Sequence, residues 1–91
     1  MLKIDIPQNG SPVFTASVFD QYALPTPPNG TEIEINGDVI LLFENEEEAV
    51  NYLDELEDYA TELDNDSPQK AYVNTLVSTI SNDEFVQAYL Q

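Results

Sequence analysis

The sequence predicts an α+β domain: an antiparallel four-stranded sheet built from two hairpins, followed by two or three helices packed on one face. Two patterns lead to that class. Over residues 1–44 apolar residues occur in short β-type runs broken by turn residues. Over residues 45–91 they recur at steps of three and four, the spacing of a helix face. Strands come first and helices second, which favours segregated layers over a parallel βαβ arrangement.

The elements follow in order. LKIDI (2–6) sets Leu2, Ile4 and Ile6 on one face and Lys3 and Asp5 on the other. PQNGS (7–11) reads as a turn, and VFTASVF (13–19), rich in β-branched and aromatic residues, as the returning strand of a first hairpin. QYALPTPPNG (21–30) carries three prolines and a glycine and reads as an irregular surface loop. TEIEI (31–35) alternates strictly into Asn36-Gly37, the dipeptide a type I′ turn favours, and VILLF (39–43) returns from it as the second hairpin. An apolar run as continuous as VILLF implies a central strand buried on both faces.

The helical half opens at Asn45, an N-cap residue with Glu48 at the N3 position of a capping box. Ala49, Tyr52, Leu53, Leu56, Tyr59, Ala60 and Leu63 then form one apolar stripe over residues 46–63. Ser67-Pro68 restarts a helix by the cap-then-proline signal, with Val73, Leu76, Val77 and Ile80 on its buried face. A short third helix begins at Asn82 and turns Phe85, Val86, Tyr89 and Leu90 toward the core.

Ninety-one residues form a single domain (1–91), with a β-rich half and a helical half. A chain of this size buries roughly 60–65% of its unfolded surface, enough for one modest core. Cysteine, histidine and arginine are absent, and Lys3 and Lys70 are the only cationic side chains. Thiol chemistry and the usual general base are therefore excluded, and no hydroxyl has a histidine to activate it. Paired carboxylates would need a cleft that so small a domain hardly offers, so no enzymatic activity and no cofactor are expected. Asp64 and Asp66 have the opening spacing of a calcium loop. Gln69 stands where that loop needs glycine and Thr75 where it needs glutamate, so no metal site is expected either. The N-terminal residues lack the apolar core of a signal peptide, and no stretch spans a membrane, so the expected location is the cytoplasm.

Charge is the dominant feature. The formal net charge is −16, and residues 44–66 hold eleven of the eighteen carboxylates with no basic residue among them. Such a chain repels nucleic acid and anionic lipid and attracts a basic protein. A helical wheel puts Glu47, Asp54, Glu55, Asp58 and Glu62 on the outward side, with Glu46, Glu48 and Glu57 nearer the flanks. Glu46 to Glu48 lie in the first turn, where negative charge suits the helix dipole. Asp54, Glu55, Asp58 and Glu62 have no such reason. Asp54–Glu57, Asp54–Asp58, Glu55–Asp58 and Asp58–Glu62 are like-charge pairs at helical spacing, together costing roughly 1–2 kcal/mol.

Those carboxylates lie about 5–6 Å apart at Cβ, broadly the separation of phosphates along a nucleic-acid strand. With Asp64 and Asp66 continuing the face, they form a candidate partner-binding strip, which Glu32, Glu34 and Asp38 are candidates to extend. Tyr52 and Tyr59, half-buried beside it, read first as rim packing and second as aromatic anchors for a partner. Phe19, Tyr22 and Leu24 are a comparable second candidate. The plain alternative is a solvated face kept for solubility or high salt.

In size, net charge and the 44–66 block, the chain resembles the small acidic inhibitors of phages and mobile elements that mimic DNA, such as anti-CRISPR and anti-restriction proteins. It is a resemblance of type and carries no shared motif. It implies steric competition, in which the carboxylates engage lysines and arginines lining a nucleic-acid channel. An immunity protein or antitoxin against a cationic nuclease would share the same surface physics, and an acidic structural or adaptor subunit is the third reading.

Overall fold

A computed structural model describes residues 1–6 and 13–91. The apolar run Val39–Phe43 becomes strand β3 of a sheet whose other members are β1 (Leu2–Ile6) and β2 (Thr31–Ile33). The spatial order is β1-β3-β2, and both pairings are antiparallel. β3 is buried at all five positions and has a strand on each side. Val39, Leu41 and Phe43 face the core with Ile4 and Ile6 of β1. Ile40 and Leu42 face the other way and are also buried. Across that outer face Lys3 of β1 reaches Glu32 of β2 at 3.7 Å, bridging the two edge strands over β3.

Among the described residues the sheet has three strands, which corrects the expectation of four. Residues 13–19 do not return as a strand; Ser17–Gln21 is a short helix, α1, and β1 pairs with β3 instead. The expected turn over 7–11 lies outside the described residues. The buried side chains Phe14, Val18 and Phe19 are four and five residues apart, a helical spacing that β-branched composition had obscured. Their rings explain why the segment folds inward. Phe14 meets Phe19 edge-on at 5.4 Å and Tyr72 at 5.9 Å, and Tyr22 lies 5.1 Å from Tyr72.

α1 ends with Ala23 in the left-handed region (φ 54°), and the Leu24 amide donates to the Phe19 carbonyl. That is a Schellman closure with alanine where glycine is usual.

The second hairpin forms, by a different turn. The Gly37 amide donates to the Glu34 carbonyl, and the Glu34 amide donates to Asp38. Gly37 has φ 93°, whereas Asn36 is not among the residues with positive φ. A type I′ turn needs positive φ at both central positions, so this is a three-residue connection closed by a left-handed glycine. The Asn36 side chain accepts from the Asp38 amide and locks it.

Three longer helices cover the core face: α2 (Glu46–Thr61), α3 (Pro68–Ser81) and α4 (Glu84–Leu90). Asn45 accepts from the Glu48 amide at 3.0 Å and starts α2. Glu48 reaches back to the Glu44 amide, one residue beyond the usual capping-box partner, and also accepts from the Asn29 side chain. It thus ties the proline-rich loop to the helix start. Ser67 caps α3 through the Lys70 amide, and Asp83 caps α4 through the amides of Phe85 and Val86. The expected inward face of α4 needs correction. Val86 alone is buried, while Phe85, Tyr89 and Leu90 each stay at least half exposed. A seven-residue helix lying against α2 and α3 presents barely one position to the core.

Candidate functional site

α2 is amphipathic because Ala49, Tyr52, Leu53 and Leu56 are buried against the sheet and the other helices. That orientation fixes where its carboxylates go. Glu47, Asp54, Glu55 and Asp58 are exposed on the helix, and Glu62 is exposed at its C-cap. Asp64 and Asp66 are exposed in the loop that follows. The fold therefore brings Glu47, Asp54, Asp58 and Glu62 onto one helix face with Glu55 at its border. Asp64 and Asp66 continue the charge off the end of that helix. Glu57, which the wheel sets on the flank, is exposed as well. A helix packed along one stripe leaves its flanks wet, and that was the signal for it.

Among the described residues none of these seven carboxylates has a cationic partner. Both lysines are occupied elsewhere. Lys3 meets Glu32, and the Lys70 ammonium donates to the Ala60 carbonyl at 2.7 Å. Lys70 thereby supplies, from α3, the positive charge that the C-terminal turn of α2 lacks in its own sequence. The extension through β2 is weaker than expected, since Glu32 is paired with Lys3, Glu34 is only partly exposed, and Asp38 is engaged by the Asn36 side chain.

The aromatic candidates move inward. Tyr52, expected at a half-buried rim, is only 2% exposed. Its ring lies 5.6 Å from that of Phe43, and its hydroxyl donates to the Pro25 carbonyl at 2.7 Å. Burial, and then the nearby Glu55 carboxylate, push its phenol well above the ordinary range. Tyr59 remains half-buried. Phe19 and Leu24 are buried in the core and Tyr22 is half-buried against Tyr72, so that trio offers no fully exposed anchor.

Beside the acidic face, the 25–29 loop and α2 enclose an open cavity of about 340 Å³ lined by Thr26, Pro28, Glu48, Asn51, Tyr52 and Glu55. Among the described residues no three carboxylates are grouped to hold a metal ion, and Asp64 is instead used in a turn, where its carbonyl accepts from the Ser67 amide and hydroxyl. No helix among those residues is long and apolar enough to cross a membrane. What the site offers chemically is a rigid, unneutralised array of carboxylates. No family model, curated protein or solved structure matches this chain.

Proposed function

We propose that this protein is a non-enzymatic acidic inhibitor that binds a basic nucleic-acid-binding protein and blocks its DNA or RNA site by charge mimicry. The observation that supports this reading is the unpaired acidic face of α2. Asp54, Glu55, Asp58 and Glu62 repel one another, have no capping role for their carboxylates, and are held on or at the end of a helix whose other side is anchored in the core. Folding alone gives no reason for them, whereas a cationic groove does. Glu47, Asp64 and Asp66 lengthen the face at its two ends. Complementary charge speeds encounter and makes the complex strongly salt-dependent. On this reading the protein acts in the cytoplasm, where nucleic-acid-binding effectors work.

The test begins with capture of basic proteins from the source cell or its host at low salt. A captured protein should lose DNA or RNA binding when this chain is added. The variant carrying Asp54→Asn, Glu55→Gln, Asp58→Asn and Glu62→Gln should bind it more weakly by about tenfold or more. Unchanged affinity in that variant would sink the mimicry mechanism.

A further inference from the structure

We propose that the open edge of β2 is a second docking surface, which takes an extended segment of a partner chain with alternating cationic and apolar residues. The surface is distinct from α2 and does not rest on the reading of that helix.

β2 is an outer strand of the sheet. The Leu42 amide donates to the Gly30 carbonyl, and the Glu34 amide donates to the Asp38 carbonyl. Residues 30, 32 and 34 therefore direct their backbone groups toward β3. By the alternation of an antiparallel ladder, Thr31 and Ile33 direct theirs away. Among the described residues nothing accepts or donates to those groups.

The side chains there are unusual for an edge. Ile33 lies on the core face of the sheet, opposite Val39, yet is 62% exposed. Ile35, at the hairpin tip, is fully exposed. Together with Glu32, Glu34, Asn36 and Ile40 they line an open groove of about 630 Å³. Natural edges are blunted by short length, charge, proline or a bulge; β2 is only three residues long and carries Glu32, so its protection is negative charge, with neither lysine nor proline in TEIEI.

Charge decides the occupant. A second copy adding its own β2 antiparallel, with Ile33 against Ile33, would set Glu32 opposite Glu34 twice. Like charges directly opposite destabilise a ladder, and two chains of charge −16 repel one another in any case. A strand with lysine or arginine beside the half-buried Glu34 and beside Glu32, which stays 54% exposed despite its Lys3 contact, and with an apolar residue over Ile33, complements this edge in charge and shape. Main-chain hydrogen bonds then supply affinity and the alternating side chains supply selection. The two glutamates thus exclude self-pairing and admit a basic strand.

A blocked heptapeptide of alternating lysine and valine is the probe, with a lysine–serine peptide of equal charge as control. On adding the first peptide, amide exchange at Thr31 and Ile33 should slow, followed by NMR. Ile33→Pro removes an outward amide that the β2–β3 ladder does not use, and should weaken binding by about tenfold. If that variant fails to fold, Ile33→Thr with Ile35→Thr keeps the strand propensity and should show the same loss. The quadruple α2 variant should still bind the probe with slowed exchange at β2, which separates this proposal from the mimicry reading. Equal binding of the two peptides, or protection confined to α2, would overturn it. So would a dimer of the protein alone that Ile33→Pro abolishes, because the edge would then belong to a second copy.

Discussion

Tyr52 is held neutral by the fold, and that has a consequence with a definite sign. Its phenol ordinarily titrates at 10.0 and is pushed upward by burial and by Glu55. Above pH 10 the unfolded chain releases this proton while the folded chain keeps it, so stability falls as pH rises; below pH 10 the contribution is constant. The urea midpoint should therefore begin to drop near pH 10, and Tyr52→Phe should flatten that decline. At pH 7 the same substitution should cost about 1–2 kcal/mol, because the Pro25 carbonyl loses its donor. Ala23 gives the opposite case. Its left-handed backbone is strained for any residue with a Cβ, so Ala23→Gly should raise stability by roughly 0.5–1 kcal/mol in urea titration. Neither residue was legible beforehand. Tyr52 falls on a helix stripe whose depth depends on what packs over it, and an alanine carries no mark of positive φ.

Among the elements, α2 was the most legible, because its cap, apolar stripe and acidic face all act within a few residues. Neutralising Asp54, Glu55, Asp58 and Glu62 removes the four like-charge pairs and leaves the buried stripe untouched. The quadruple variant should fold and gain roughly 1–2 kcal/mol, read as a higher urea midpoint at low salt. A loss of stability would mean that these carboxylates hold the fold in some way, and the case for a partner would weaken. α1 was the least legible element. VFTASVF has the composition of a strand, yet its partners are the aromatic residues of its own turn and Tyr72 of α3, far along the chain. The second hairpin was legible as a hairpin, but Asn36-Gly37 did not reveal its turn type. Glycine alone adopts the left-handed conformation, and Asn36 serves through its side chain.

For the whole molecule the governing quantity is self-repulsion. A net charge of −16 with one ion pair among the described residues leaves the folded state pushing against itself. Raising salt from about 0.01 to 1 M shortens the Debye length from roughly 30 to 3 Å, so the melting temperature should climb with salt. In a domain of this size each kcal/mol recovered is worth about 4–8 °C. A melting curve indifferent to salt would show that the repulsion is already relieved. The sequence by itself determined the α+β class, the central strand, the starts of α2 and α3, and the position of the excess charge. Each of these depends on periodicity, capping or composition, which operate over one or two turns of chain. Only the tertiary structure decided that β1 pairs with β3, that residues 17–21 form a helix, that Tyr52 is core while Phe85 and Tyr89 are not, and that β2 has no neighbour on its outer edge among the described residues. Those outcomes depend on which distant surface arrives to cover a residue, and local pattern carries no record of that.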